Sequence, residues 1–216
     1  MVIPAALLAG FVGGCNVLGL VGASLPPPTI PAAYTDLAEK TAGVTVWAPT
    51  QVRADFSQVN LDLGQAVQAR LEQARDKGTR GQKNQLEGLE FTFPAASYVR
   101  MIVKNPAMVD RPIVEIAPDI GVQRVIVIEL DEFTNRSGVS GGLVRGRATF
   151  GVKVIEVDDA GNATEAFSDA GFTATFPQRG LSAGSTTLTP QQAYQGLVLE
   201  VSKIVAEQFM PHTEED

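Results

Sequence analysis

The sequence predicts an α+β fold, a mixed α/β sandwich in which helices cover an antiparallel-rich sheet. Three observations carry this. Apolar residues alternate between the strand period and the helix period along the chain, with turn signals between the segments. The carboxyl half holds three consecutive long strand patterns that read as a meander. The last periodic segment is a strongly capped helix placed to pack across the sheet.

The first strand is Val44-Thr45-Val46-Trp47-Ala48, β-branched, preceded by Gly43 and stopped by Pro49. Residues 61–77 then place Leu63, Ala66, Val67, Ala69, Leu71 and Ala74 on a helical stripe, with Asn60 or Asp62 to cap the start, a basic end and Gly78 as terminator. A polar loop covers 78–88. Leu89-Glu90-Phe91-Thr92-Phe93 alternates at period two up to Pro94, and a helical turn over 98–103 ends at Asn105-Pro106. Residues 113–120 read as a short helix despite Pro118, with Gly121 as its left-handed terminator. Trp47 and Phe91 are expected in the core.

Residues 124–133 start as a continuous apolar run and end alternating, the pattern of a central strand emerging from burial. After a glycine-bearing turn at 135–142, residues 143–157 form a long strand. Ala148, Phe150, Val152 and Val154 share one face, and Arg145, Arg147, Thr149, Lys153 and Ile155 the other. The turn Asp159-Ala160-Gly161-Asn162 leads into a third strand over 163–176, and 178–187 is a Gly/Ser/Thr-rich loop. Thr189 as N-cap, Pro190 at the first helical position and Gln192 at the capping-box position open the closing helix. Tyr194, Leu197, Val198, Val201, Ile204, Val205 and Phe209 form its apolar face until Pro211.

The chain therefore divides into residues 1–14, a spacer over 15–32, one α+β domain over 33–211 and an acidic tail at 212–216. Cys15, the single cysteine, ends the uncharged apolar run Ala5-Ala6-Leu7-Leu8-Ala9-Gly10-Phe11-Val12-Gly13-Gly14. That run is well short of the roughly 18 residues that span a bilayer, and small residues precede the cysteine, so 1–14 read as a signal peptide. No basic residue precedes Lys40, unlike the usual signal; a start codon assigned in the wrong place would explain it. The competing reading is a buried apolar segment of a cytosolic domain, with Cys15 as a small hydrophobe. The semi-rigid Leu25-Pro26-Pro27-Pro28-Thr29-Ile30-Pro31 argues against it. The run resembles the lipobox of bacterial lipoproteins. That resemblance implies acyl chains, palmitate among them, on Cys15, attachment to a membrane through those chains, and a place in the cell envelope facing the periplasm. Asn16, where the retention rule of enteric bacteria wants aspartate, implies the outer membrane over the inner.

Net charge is −7, from 17 Lys plus Arg against 24 Asp plus Glu, and no basic stripe is interleaved with aromatics. This excludes nucleic acid as a partner and disfavours anionic lipid surfaces. The catalytic candidates are few. His212, the one histidine, lies beyond the last helix and reads as a solvated terminal residue. Glu129, Asp131 and Glu132 form the best carboxylate cluster; 129 and 131 share a strand face and 132 lies on the other. A paired-carboxylate acid/base site is weighed there against a charged strand end meeting solvent. They make no calcium or transition-metal pattern, and no cofactor is expected. The glycine-rich 138–146 is followed by a strand and lacks Gly-Lys-Ser/Thr, so a hairpin loop is favoured over a phosphate cradle. Arg145 and Arg147 read as cross-strand ion-pair partners.

At the level of fold, the Val44–Ala48 strand entering a long helix, the Gly121-Val122-Gln123-Arg124-Val125-Ile126-Val127 element and the Phe150-to-Val157 strand with its Gly161 turn resemble a known family. It is that of envelope lipoproteins with a curli-secretion-type or Tol translocation amino-terminal-type domain, planctomycete lipoproteins included. The resemblance implies a non-catalytic accessory role in secretion or assembly through docking onto another envelope protein. A pore is not expected, because the turn at Asn162 is too short and polar to insert. The alternatives are an auxiliary lipid- or glycan-binding subunit of a transporter or lipopolysaccharide-assembly complex, marked by an apolar groove, and a small periplasmic hydrolase using the carboxylates. Self-association into a homo-oligomer stays open.

Overall fold

The structure, a computed structural model, describes residues 28–77, 84–135, 144–178 and 188–213. In chain order the elements are β1 (Thr29–Ile30), β2 (Thr41–Trp47), α1 (Thr50–Asp55), α2 (Val59–Lys77), β3 (Glu90–Phe93), α3 (Ala95–Lys104), a 3-10 turn (Pro106–Asp110), α4 (Ile113–Ile120), β4 (Arg124–Thr134), β5 (Gly146–Val157), β6 (Ala163–Phe176), α5 (Pro190–Glu207) and β7 (His212–Thr213). A smaller unit, up to Ile30 and from Thr213 on, holds β1; the larger, Pro31–His212, holds the elements described below.

Five strands form one mixed sheet in the order β3-β2-β4-β5-β6. The expected meander is there: β4, β5 and β6 pair antiparallel, and β5 passes to β6 through a turn in which the Asp158 carboxylate accepts from the backbone amides of Ala160 and Asn162. Those bonds, the one from the Asn162 side chain foremost, hold the Asp158 carboxyl below its ordinary range. The amino half adds what periodicity does not encode. β2 lies between β3 and β4 and runs parallel to both, because each return to the sheet crosses over through helices.

Both faces of the sheet centre are buried. On one face Val44, Val46, Ile126, Ile128, Leu130, Phe150, Val152 and Val154 pack with Leu63, Val67 and Leu71 of α2 and Leu197, Val201 and Val205 of α5. On the other, Val125, Val127 and Ile155 pack with Ala117 and Ile120 of α4, with Met101 of α3 against them. Burial on two sides is why the start of β4 is continuously apolar. Leu197, Val201, Val205 and Phe209 are fully buried, at roughly 1.5–3 kcal/mol of transfer free energy each.

Local chemistry sets the helix ends. Gly121 takes φ +74, a left-handed conformation that glycine adopts without a Cβ clash, and its N–H closes α4 on the Pro118 carbonyl at 3.2 Å. Pro118 stands within this eight-residue helix, so the weak point of the sequence pattern is tolerated where few internal bonds are at stake. At α5 the capping box is complete: Thr189 Oγ1 accepts from the Gln192 amide at 3.2 Å, and the Gln192 side chain accepts from the Thr189 amide at 2.9 Å. Thr189→Ala is therefore expected to lower stability by about 1 kcal/mol, read as a shift of the urea midpoint at constant slope. Gly196 lies under the Phe176 ring of β6, where a Cβ would come within 2.3 Å of a ring carbon, so α5 sits close on the sheet.

Two expectations are corrected. Trp47 is 39% exposed and is not a core residue, since it is the last residue of β2, past Thr45, which is 1% exposed on the same face. Phe91 is only half-buried, at the edge of the larger core. Four elements were not expected: α1, the 3-10 turn, β1 within the spacer, and β7, where His212 and Thr213 read as part of a solvated tail. The turn at 135–142, the loop at 178–187 and the Gly78 terminator fall wholly or mainly outside the described residues.

Candidate functional site

β2 stops at Trp47, which stands in register beside Glu129, while β4 runs on to Thr134. At the carboxyl ends of these parallel strands, two clefts open. This is the end of a parallel pair where side chains from different elements converge. Between Leu130 and Glu132, β4 slips by one residue against β5, with Asp131 at the slip, and so Leu130 and Phe133 both reach the larger core.

The first cleft, about 560 Å³, has Val52, Phe56 and Phe133 at its base and Asp55, Asp131 and Glu132 among its lining side chains. Beneath it Phe56, Phe133 and Tyr194 form an aromatic cluster with centroids 5.1–5.8 Å apart. The Tyr194 hydroxyl donates to Asp62 at 2.7 Å; burial, and then this bond, raise its pKa. The second cleft, about 510 Å³, is walled by Trp47, Tyr98, Val109 and Ile113, with Asp110, Arg111, Glu129 and Asp131 around it. The Trp47 indole N–H donates to the Val109 carbonyl at 3.3 Å, which fixes the ring while leaving it exposed. Tyr98 is 3% exposed; burial pushes its hydroxyl pKa up, against the nearby Arg53 charge.

The slip at Asp131 overturns one expected face: Glu132 pairs with Thr149 and Glu129 with Gly151, so 129 and 132 share a face of β4 where strict alternation sets them on opposite ones. Glu129 and Asp131 continue the row of Val125 and Val127 into the second cleft, and Glu132 lines the first. Asp131 lines both. Glu129 is engaged by Lys153 Nζ at 2.9 Å, with Glu165 3.8 Å from the same ammonium. The bond to Glu129 holds the Lys153 pKa above its ordinary value against partial burial. Asp131 and Glu132 are exposed and make no ion pair among the described residues.

One cluster had no signal in the sequence. Arg124 is a buried charge, its side chain 3% exposed, that pairs with Asp36 and with Glu156 at 2.9 Å, receives Tyr34 as a hydrogen-bond acceptor at 3.1 Å and donates to the Gln123 carbonyl. Burial works against the cation, yet its pKa is raised because Asp36, Tyr34 and Glu156 surround it. Burial also pushes the Tyr34 hydroxyl up, against the pull of Arg124. This network fastens the segment before β2 to the β4–β5 pair, a structural task.

Elsewhere, His212 is in β7 with Nδ1 3.4 Å from the Met210 carbonyl. Among the described residues, no group of three His, Cys, Asp or Glu is arranged to hold a metal ion, and no helix is long and apolar enough to cross a membrane. Arg145 and Arg147 are exposed, and the expected cross-strand ion pairs are not formed among the described residues. Cys15 and residues 138–143 lie outside the described residues.

No family model and no curated protein sequence matches the chain. Several solved structures follow a similar course at low identity. The PelC dodecamer from Paraburkholderia phytofirmans is 12% identical over 86% of this chain and 97% of its own, with a TM-score of 0.43. The hypothetical protein CT253 from Chlamydia trachomatis is 15% identical over 79% of this chain and 98% of its own, also at 0.43. The lipoprotein GNA1162 from Neisseria meningitidis is 13% identical over 62% and 78%, at 0.37, so the structures similar to this chain include a bacterial lipoprotein.

Proposed function

We propose that the chain is a lipid-anchored accessory protein of the cell envelope, held on the periplasmic side by acyl chains on Cys15, the outer membrane favoured. In this reading it docks onto another envelope protein in secretion or assembly and turns over no substrate. The observation that supports docking is Trp47: a single indole, fixed by the Val109 carbonyl and kept exposed between carboxylates, has the anchor-and-rim character of a recognition surface. The anchor is supported by the Val12-Gly13-Gly14-Cys15 run and the proline spacer behind it. Two or three acyl chains hold stably at about 0.8 kcal/mol per buried methylene, where one holds marginally. The lipid- or glycan-carrier alternative wants an apolar groove, and each of the two clefts carries carboxylates.

Metabolic labelling with a palmitate analogue tests the anchor. Label on the native protein, with a Cys15→Ser variant unlabelled and released from the membrane fraction, is the expected result. A native protein that keeps Met1 and fractionates with the cytosol refutes it. Docking is tested by crosslinking in intact cells and mass spectrometry of the captured species, with an envelope protein as the expected partner.

A further inference from the structure

We propose that the Trp47 cleft receives an arginine side chain of the envelope protein on which the chain docks. The inference rests on the docking reading and names the chemistry that the partner must present.

The cleft is acidic in a specific way. Four ionisable side chains besides Tyr98 line it: Asp110, Arg111, Glu129 and Asp131. Arg111 is turned to Glu115, with Nε 3.4 Å from its carboxylate, and Glu129 is held by Lys153, so these two charges are matched within the fold. Asp110 and Asp131 are not: neither side chain makes a hydrogen bond or ion pair among the described residues. Arg53, the other cation near Tyr98, is bonded to the neutral Thr50 hydroxyl and pairs with no carboxylate among the described residues, so it offsets one of these two charges. An uncompensated negative charge thus remains beside an exposed indole.

A second observation is independent of the carboxylates. Tyr98 lines the cleft, is 97% buried by its 3% exposure, and its hydroxyl has no hydrogen-bond partner among the described residues. The hydroxyl oxygen itself is not closed off from solvent, so at the cleft wall it is free to accept from a ligand N–H in place of water.

An aromatic face, two free carboxylates and an unpaired hydroxyl oxygen together suit a planar cation with several N–H donors. The guanidinium group is that cation: it lies against an indole, is weakly hydrated, and donates in a fork that matches a carboxylate while a further N–H reaches the tyrosine oxygen. A bare ammonium offers fewer donors and no plane to stack. A volume of about 510 Å³ is in the range that takes one such side chain with part of its backbone.

Trp47 is the only tryptophan, so its fluorescence reports this cleft alone. The full chain, purified in detergent, is titrated with a blocked peptide of alternating glycine and arginine, and with its citrulline counterpart, which keeps the shape and loses the charge. The expected result is a saturable change with the arginine peptide, binding about tenfold or more weaker with citrulline, and a loss of similar size in an Asp110→Asn/Asp131→Asn double variant. That variant's melting temperature, unchanged because both carboxylates are exposed and unpaired, shows that it folds. Equal binding of the citrulline peptide, or undiminished binding by the double variant, overturns the proposal. A photoreactive phenylalanine analogue in place of Ile113 separates the two readings in intact cells. An envelope protein captured there while the peptide fails to discriminate sinks the arginine assignment and leaves docking; no capture and no discrimination sink both.

Discussion

Phe150→Ala is expected to destabilise the protein by roughly 3–5 kcal/mol, the cost of deleting a large buried ring and leaving a cavity that the surroundings fill only in part. Phe150 is fully buried, stands in register with Leu130 of β4 and stacks on Phe172 of β6 with ring centroids 5.5 Å apart. It lies in the part of the sheet where three strands and α5 share one core, so the space is walled by packed elements. Against a total stability of about 5–15 kcal/mol the loss is large enough to unfold a considerable fraction of the protein at moderate temperature. Urea denaturation followed by circular dichroism measures it. Phe150→Leu, which keeps most of the volume, is expected to cost less than half as much, and a loss under about 1 kcal/mol for the alanine variant would contradict the packing described here.

The second large effect concerns a charge. Removing both anions around Arg124, by Asp36→Asn with Glu156→Gln, leaves a guanidinium with its side chain 3% exposed and no carboxylate against it. Stranding a buried charge in this way costs roughly 3–5 kcal/mol, and the lower end applies because Asp36 and Glu156 are themselves 62% and 44% exposed and water screens them. Arg124→Met is expected to cost less than the double amide variant, since the cation leaves together with the need for partners. The order of the two denaturation midpoints is the measurement. If the methionine variant is the less stable, the guanidinium contributes more through its hydrogen bonds to Tyr34 and Gln123 than through its ion pairs.

The elements that depend on their own residues were legible in the sequence. The capping box at Thr189, the left-handed Gly121 and the two-sided face of β5 are local consequences of side-chain chemistry, and the structure has each of them. What depends on distant neighbours was not. The direction of β2 relative to β3 and β4 is set by the crossovers, and period two is the same for either direction. Arg124 stands at the head of an apolar strand, and nothing there announces Tyr34 and Asp36, some ninety residues earlier. For the candidate site, alternation misplaced Glu132, because the slip at Asp131 brings it onto the face of Glu129, and neither that slip nor the grip of Lys153 on Glu129 is written in the spacing. Trp47 was misjudged through its residue type; its place at the end of the strand, before Ala48-Pro49, leaves it exposed although Thr45 on the same face is buried.

The outermost strand, β6, leaves one side of its backbone unpaired by any strand of the sheet along 14 residues. Such a margin invites a second molecule to extend the sheet, and here two properties oppose it. The only charges on β6 are the carboxylates of Glu165 and Asp169, so two copies laid edge to edge bring like charge to like charge. The register breaks opposite Val152 and Val154 also spoil the straight run of amides that fibre-like stacking needs. Where copies of the chain meet at high local concentration, that margin keeps neighbours from fusing into a continuous ribbon.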